Sequence, residues 1–309
     1  MTVITQRFFP ARLRWSLQKR EALTFYLCVL PWFIGFLLFY LGPVLASFYF
    51  SLTKWDLITP PQFIGLDNYE RIFTRDKYFL QAIKVTTIYT FTYVPLDLVF
   101  GLLIALLVNQ RVRGVGIFRT IFYMPSVLAG VAYVVMWMWV FNPQAGLING
   151  LLAYFGVQGP RWLLDPKWAL PALIIMSLWG VGRTMVIYLA GLQDIPRELY
   201  ESASIDGANA WSRFWNITLP LLTPSILFNL IFSIILTFQS FTNVYIATNG
   251  GPLDATLFYV LYLYRKAFEH LAMGYASALA WILFLIVLVC TLIIFTTSGK
   301  WVFYRGVEE

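Results

Sequence analysis

Seven polar side chains between residues 225 and 243 have the types and spacing to bind a ligand. They lie within the uncharged segment 214–253. On a helix that turns about 100° per residue, they fall within an arc of roughly 160°. Their hydroxyl and amide groups suit the hydroxyl groups of a saccharide, and nearby Tyr245 and Trp179 could stack on sugar faces. Alternatively, the polar groups form hydrogen bonds that hold helices together in a membrane. This polar arc consists of Ser225, Asn229, Ser233, Thr237, Gln239, Ser240 and Asn243.

Two charged residues, Asp97 and Arg183, lie deep within other apolar segments. At 1.5 Å per helical residue, they lie roughly 18 and 15 Å from the ends of those segments. Because the depths agree and an unpaired charge in lipid is costly, the two side chains are expected to form an ion pair. Two alternatives remain: Arg183 recognises an acidic substrate, or the charges reach water.

The elements that position these residues are membrane helices. The chain has 309 residues, of which 60% are hydrophobic and 12% charged, and its mean hydropathy is +0.71. Its uncharged runs exceed the roughly 20 residues that cross a bilayer, and the alternation of barrel strands is absent. The sequence therefore predicts an all-α membrane protein with six transmembrane helices, at about 22–53, 80–109, 118–142, 168–193, 218–244 and 271–299.

The distribution of basic residues predicts the orientation of the chain. An even number of spans places both termini on one side, which carries 12 Lys and Arg residues against 9 on the other. The bias is strongest before the first helix, so both termini are expected in the cytoplasm. Residues 1–21 interleave basic and apolar side chains, which predicts either an amphipathic helix on the inner leaflet or a disordered basic tail. The rest, 22–309, is expected to be a single transmembrane domain, with 257–268 as an interfacial or docking helix.

Composition argues against several classes of function. The single histidine, His270, and the two cysteines, Cys28 and Cys290 in apolar spans, do not make a zinc site. Gly299-Lys300 lacks the rest of a phosphate-binding loop. The net charge of +7 is spread over short loops, which fits a membrane protein better than a nucleic-acid binder. The chain is expected to be no enzyme and to hold no cofactor or metal.

The polar connection, residues 194–217, is expected to project from the membrane as a helix–turn–helix. Asp194 is placed to cap a helix that begins near Pro196. Gly207 allows a sharp bend, and a second helix is expected to run to Ile217 and to end at Leu219-Pro220. Small side chains at the bend permit close approach of a partner. An ordinary loop is the plain alternative.

The polar connection resembles the conserved loop of permease subunits in binding-protein-dependent ABC importers. That loop reads Glu-Ala-Ala, three residues, Gly, nine residues, then Ile-x-Leu-Pro. This chain has Glu201-Ser202-Ala203, Gly207 and Ile217-Thr218-Leu219-Pro220 at the same spacing, with Ser202 in place of one alanine. The segments 63–73, 101–125, 189–208 and 248–256 also resemble permeases of the carbohydrate-uptake branch, of the maltose and glycerol-3-phosphate type.

This resemblance implies a permease subunit of an ATP-driven importer in a bacterial or archaeal cytoplasmic (inner) membrane. It implies a second homologous permease, two ATPase subunits that hold ATP and Mg, and an external binding protein that delivers a sugar or oligosaccharide. The ATPase-docking residues that it implies are Glu201, Ser202, Ala203, Asp206, Gly207 and Ala208.

Other interpretations stay open at this point. A permease for glycerol-3-phosphate or an acidic saccharide would use Arg183, and an ion-coupled secondary transporter would use a carboxylate such as Asp97. A structural scaffold is a third class. Beyond the fifth span, Asn249, Gly250, Gly251 and Pro252 predict a sharp turn. Two interpretations of that turn remain: it contacts the binding protein, or it only reverses the direction of the chain.

Overall fold

The computed structural model describes residues 16–110 and 112–303. The chain divides into two compact units, Met1–Phe50 and Ser51–Glu309. Most of the predicted amphipathic segment, residues 1–15, lies outside the described residues. The first described helix begins directly after Ser16, whose hydroxyl accepts a hydrogen bond from the backbone N–H of Lys19 at 3.4 Å.

The first candidate span is one continuous helical run. It consists of α1 (Leu17–Phe36), a π-helical turn (Leu37–Leu41) and α2 (Gly42–Ser51), whose last residue belongs to the second unit. At 35 residues it is long and apolar enough to cross a membrane. It begins five residues before the predicted position 22, because the serine cap precedes the charged residues of the first turn.

A two-residue hairpin and a short helix follow. Strands β1 (Thr53–Lys54) and β2 (Gln62–Phe63) pair antiparallel, a small departure from the all-α prediction. Helix α3 (Asp67–Arg75) is fixed to the hairpin through Asn68, whose buried amide donates to the carbonyls of Ser51 and Thr53, at 2.9 Å each.

Four helical runs in the described part of the chain are long and apolar enough to span a membrane. The number rises to six if each of two bent helix pairs counts as one span, in line with the predicted six. The second and sixth spans are single helices, α4 (Lys77–Val108) and, last in the chain, α15 (Met273–Ser298).

The third span, expected as one helix over 118–142, is broken. Helix α5 (Val115–Tyr123) and a 3₁₀ turn (Met124–Val127) meet α6 (Gly130–Val140) at an angle of 101°. The break lies at Leu128 and Ala129, whose extended backbone (ψ 140° and 129°) interrupts the helical hydrogen bonds.

The fourth span is bent more gently. After the short α7 (Leu147–Tyr154), α8 (Ala169–Leu178) is followed by α9 (Gly182–Gln193), which is bent by 41° relative to it. The hydroxyl of Ser126, in the 3₁₀ turn of the third span, donates to the carbonyl of Gly180 at 3.2 Å. The two breaks therefore support each other.

The fifth span begins and ends earlier than the predicted 218–244. After α10 (Arg197–Ile205), α11 (Ala210–Arg213), a π-helical turn (Phe214–Thr218) and α12 (Leu219–Phe238) form one helix of 29 residues. Pro220, predicted to end a helix, lies in the first turn of α12 instead. The wider hydrogen bond from Leu219 N–H to the Phe214 carbonyl lets the chain stay helical across this point.

In the segment predicted as an interfacial helix at 257–268, residues 257–262 belong to the protein core, whereas Phe268 at its end is exposed. After α13 (Thr242–Ala247), the segment forms α14 (Tyr259–Tyr264) and a π-helical turn (Arg265–Glu269). Its apolar side chains are almost fully buried from Leu257 to Leu261, with only Val260 partly exposed, and α14 packs on α4 and α15. Aromatic and apolar residues here serve internal packing rather than a surface.

Helix α4 lies at the centre of the second unit, against α8, α9, α12 and α14. Gly101 sets its close approach to α9, because a Cβ at this position would lie 2.6 Å from Cγ2 of Thr184. Small residues at such contacts are typical of membrane helix pairs. This close packing brings side chains of three helices together around one cavity.

Candidate functional site: the central cavity and the polar connection

A cavity of about 560 Å³, the central cavity, is lined by α4, α8, α9 and α12, by the break in the third span with α6, and by the start of α13. Five members of the polar arc line it, whereas Gln239 and Ser225 do not; Gln239 is exposed. The lining members are Asn229, Ser233, Thr237, Ser240 and Asn243. Tyr245, predicted to belong to the same pathway, lies outside the cavity and stacks on Phe241 at a centroid distance of 5.1 Å.

Asp97 is the centre of a hydrogen-bond network at the wall of this cavity. Its side chain is 3% exposed. One carboxylate oxygen accepts from the hydroxyls of Thr184 on α9 at 2.8 Å and Ser233 on α12 at 3.0 Å, and the other accepts from Tyr93 at 3.4 Å. Asp97 therefore joins three helices, and its acceptor sites are occupied by neutral donors.

The predicted ion pair between Asp97 and Arg183 is not formed. Within residues 16–110 and 112–303, the one ion pair within 4.0 Å joins Arg265 and Glu269. Neighbouring helical residues point about 100° apart, so Thr184, directly after Arg183, takes the position that faces the carboxylate. Arg183 is exposed, and like Asp97 it lines the central cavity.

The polar arc holds helices together as well as lining the cavity. Ser233 bonds Asp97, and the amide of Asn229, 2% exposed, donates to the Thr184 carbonyl at 3.4 Å. Thr237 bonds the Ser233 carbonyl of its own helix at 2.7 Å. Asn243 differs, because the described part of the chain shows no hydrogen bond for its side chain. Ser233 and Asn229 therefore hold helices together, whereas Asn243 fits the ligand-binding interpretation better.

Three tyrosines that sequence reasoning missed complete the wall. Tyr89 and Tyr93 stack at a centroid distance of 5.6 Å, and the Tyr89 hydroxyl donates to Ser177 at 2.8 Å. Tyr133 stacks on Trp179 at 5.5 Å, although Trp179 itself does not line the cavity. A signal existed for the first two, since Tyr89, Tyr93 and Asp97 repeat every four residues along one helix face.

The polar connection begins with α10 and turns sharply at Gly207. Pro196 occupies the N-cap position, and no side chain caps this helix, so the predicted cap by Asp194 is not formed. Gly207 has φ +79°, and the N–H groups of Gly207 and Ala208 donate to the carbonyls of Ser204 and Ala203, at 3.2 and 2.8 Å. This pair of bonds is a Schellman motif, which favours glycine at the left-handed position.

The tip of the polar connection presents backbone and small side chains to the surroundings. Ile205, at the end of α10, is 87% exposed. Of the six predicted docking residues, Ala203 and Ala208 are half-buried and the others are exposed, namely Glu201, Ser202, Asp206 and Gly207. An exposed tip of this kind leaves room for a partner surface.

Two side-chain contacts brace this tip against the fifth span. Arg213 donates to the Ser204 hydroxyl at 2.9 Å, which joins the helices on either side of the turn. The hydroxyls of Tyr200 and Thr218 are 2.9 Å apart, which ties α10 to the helical run that continues into α12. These contacts join the tip to the helical run that carries Asn229, Ser233 and Thr237 of the polar arc.

The base of the polar connection packs into an apolar cluster at the ends of α4 and α9. Ile195 is 7% exposed and belongs to one cluster with Val108, Met185 and Leu222. Since α4, α9 and α12 also carry Asp97, Thr184 and Ser233, the cluster packs the base of the polar connection against the helices that line the central cavity.

The predicted turn at Asn249–Pro252 is sharp. Asn249 and Gly250 have φ +43° and +80°. Arg265 donates to the Asn249 carbonyl at 2.6 Å, and the Thr256 hydroxyl donates to the Gly251 carbonyl at 2.6 Å. The turn is thus held by side chains from the segment that follows it. Its contact with a binding protein stays a prediction.

Comparison with known families and proteins gives a consistent result. The family described as "Binding-protein-dependent transport system inner membrane component" matches residues 97–300. The probable ABC transporter permease protein YesP of Bacillus subtilis is 46% identical over 295 residues, 94% of this chain and 95% of that protein. The trehalose/maltose transport system permease protein MalF of Thermococcus litoralis is 35% identical over 283 residues, 90% and 94% of the two chains.

The fold also matches that of a solved transporter. A chain of the bacterial alginate ABC transporter, in complex with an alginate pentasaccharide-bound periplasmic protein, superimposes with a TM-score of 0.81. The two chains are 25% identical, and the match covers 91% of this chain and 96% of the other.

Proposed function

Because the chain belongs to the family of binding-protein-dependent transport system inner membrane components, we propose that it forms the saccharide pathway of an ATP-driven importer. It is a permease subunit and not itself catalytic. Its partners in this proposal are a second homologous permease, two ATPase subunits with ATP and Mg, and an external binding protein. Both termini and the polar connection lie on the cytoplasmic side, where the ATPase subunits are found.

The observation that carries the proposed substrate class is the composition of the central cavity. Its wall combines neutral hydroxyl and amide groups with three tyrosine rings, and it carries two charged residues: Asp97, which already accepts three hydrogen bonds, and the exposed Arg183. The neutral groups and the tyrosine rings can bind sugar hydroxyls and sugar faces without desolvating a charge of their own. The names of two relatives agree, the trehalose/maltose permease and the lactose permease LacF of Rhizobium radiobacter.

We expect Asn243→Leu to reduce saccharide uptake by about tenfold, the effect of losing a hydrogen bond worth about 1.4 kcal/mol in the transport barrier. The melting temperature should change little, because the Asn243 side chain makes no hydrogen bond in the described part of the chain. Gln239→Leu is the matched control, since Gln239 is exposed four residues away and outside the cavity. Saccharide uptake by the reconstituted complex is measured for both variants. Equal uptake in Asn243→Leu and Gln239→Leu would show that Asn243 is not part of the pathway.

A second candidate substrate class, an acidic saccharide, is favoured by Arg183. Its guanidinium lines the central cavity, and no carboxylate lies within 4.0 Å of it in the part of the chain that the structure describes. A guanidinium binds carboxylate and sulfonate groups through paired donors. Two similar proteins carry acidic saccharides in their printed names, the alginate transporter and the sulfoquinovosyl glycerol permease SmoG of Agrobacterium fabrum.

Arg183→Gln distinguishes the two classes. If the substrate is acidic, the variant should lose about tenfold in ATPase stimulation by an acidic saccharide, because one charge-assisted hydrogen bond is worth about 1.5–3 kcal/mol. Stimulation by neutral saccharides should stay within twofold. The measurement is ATPase activity of the reconstituted complex with its binding protein and a panel of neutral and acidic saccharides. An unchanged response to every acidic saccharide would contradict the role of Arg183.

A further inference from the structure

A second cavity, of about 270 Å³, lies where α4 and α15 begin and where α3 ends. We call it the basic cavity, because four of its lining residues are cations and one is an acid. The cations are Arg71 and Arg75 from α3, Lys77 from α4 and Lys266 from the turn after α14, and the acid is Asp76. No function assigned above uses it.

The carboxylate of Asp76 already accepts hydrogen bonds from within the protein. Asp76 caps α4, with one oxygen accepting from the backbone N–H groups of Tyr78 and Phe79 at 3.0 and 3.2 Å. Its other oxygen accepts from the hydroxyls of Tyr262 and Tyr275. Burial opposes the charged form, but these hydrogen bonds and nearby Lys266 hold the pKa of Asp76 below its usual value. Asp76 is therefore charged, but both of its oxygen atoms already accept hydrogen bonds from the fold rather than from the neighbouring cations.

The cations keep their capacity for an anion. Lys266 and Arg71 lie over the Tyr275 ring, at 5.7 and 5.4 Å from its centroid, which orders their side chains. Arg75 and Lys77 are exposed. None of the four lies within 4.0 Å of a carboxylate in the described residues, where Arg265–Glu269 is the one ion pair. Four cations surround a cavity whose one acid, Asp76, forms no ion pair with them within 4.0 Å, so their excess positive charge attracts a multiply bonding anion such as phosphate.

The position of the basic cavity identifies the source of the phosphate. It lies at the first turns of two candidate membrane spans, the level at which a bilayer places its headgroups. Apolar side chains flank it on neighbouring turns, with Phe73 61%, Tyr78 54% and Leu80 62% exposed. We propose that the basic cavity binds the phosphate headgroup of an anionic phospholipid, with the acyl chains along these apolar side chains.

The sequence carries a matching anomaly. Basic residues are normally depleted from the outer side of a membrane protein, yet nine are predicted there. Four of the nine meet in this one cavity. A bound anion would offset the charge of these four residues on the disfavoured side.

Native mass spectrometry of the purified transporter complex tests the site. Phosphatidylglycerol and phosphatidylcholine are added in equal amounts, and the lipids retained on the complex are counted. We expect one phosphatidylglycerol molecule to be retained preferentially and Arg75→Gln/Lys266→Gln to weaken its binding about tenfold, as expected for lost charge-assisted bonds. Arg161→Gln/Lys167→Gln removes the same charges from an exposed connection outside the cavity, and it should bind like the unaltered complex.

Three outcomes would overturn the proposal. Equal retention of the two lipids, or equal loss in the two double variants, contradicts a specific headgroup site. Displacement of phosphatidylglycerol by millimolar inorganic phosphate assigns the cavity to free phosphate instead of lipid. If the double variant fails to assemble, Arg75→Gln alone replaces it, because the exposed Arg75 side chain forms no ion pair within 4.0 Å in the described part of the chain. Unchanged retention of phosphatidylglycerol by the Arg75→Gln complex would also contradict the proposal.

Discussion

Gly207→Val is expected to abolish the coupling of ATP hydrolysis to uptake while the complex still assembles in the membrane. The left-handed conformation at φ +79° costs a residue with a Cβ about 1–2 kcal/mol, so valine shifts the Schellman turn out of its present geometry. The chain itself leaves room, since a Cβ at this position would meet no atom within 4 Å. The defect should therefore lie in the fit to the ATPase subunit. Saccharide uptake should fall about tenfold or more, while ATP hydrolysis loses its dependence on substrate.

Gly156→Val is the matched control for this prediction. Gly156 is also exposed, has φ +74°, and would meet no atom within 4 Å if a Cβ were added, so backbone strain is comparable. It lies between the third and fourth spans, on the opposite side from the polar connection in the proposed topology. Equal behaviour of the two variants, or substrate-stimulated ATPase and uptake at normal levels in Gly207→Val, would refute the docking role.

The second large effect is expected from Asp97→Leu. The substitution removes the acceptor of the Thr184 and Ser233 hydroxyls and leaves both donors facing an apolar side chain. Each unsatisfied donor costs about 1–3 kcal/mol, with the lower end typical inside membranes. The melting temperature of the purified complex should fall by several degrees, and uptake should be lost because α4, α9 and α12 no longer hold the cavity open.

Asp97→Asn separates hydrogen bonding from charge. Its amide oxygen still accepts from Thr184 and Ser233, so stability and uptake should stay close to those of the unaltered complex. Loss of uptake in Asp97→Asn with unchanged stability would instead indicate that the charge itself takes part in transport. That result would favour an ion-coupled step.

The chain's charge pattern and its polar arc were sufficient to predict the approximate spans and part of the cavity wall, including Asp97 and Arg183. Five of the seven polar-arc residues line the cavity: Asn229, Ser233 and Thr237 from α12, Ser240 from the connection after it and Asn243 from α13. The bends in the third and fourth spans were not predictable, since they depend on a contact between distant segments. The hydroxyl of Ser126 reaches the Gly180 carbonyl only after both spans have packed.

The partner of Asp97 shows the same limit. The similar depth of Asp97 and Arg183 in the membrane favoured Arg183 as the partner. Depth gives the position along the helix axis but not the direction in which a side chain points. Rotation of α9 decides which neighbouring residue faces α4, and the close contact at Gly101 places Thr184 there. Sequence spacing predicts which residues share a face, and packing decides what that face meets.

The resemblance around Gly207 and the geometry of the same residues lead to the same account. The glycine is needed for a left-handed turn, and the turn displays the small residues of the tip. Bracing through Arg213 and Tyr200 then connects the tip to the fifth span. Docking at this tip is expected to move the walls of the central cavity as rigid bodies.

Uptake of labelled saccharides into proteoliposomes tests the central claim most directly. The vesicles contain the complete complex, with ATP on the ATPase side and the binding protein on the other. The account predicts accumulation that requires both ATP and the binding protein and that is insensitive to collapse of ion gradients. Accumulation that continues without ATP and stops when an ion gradient is collapsed would contradict it.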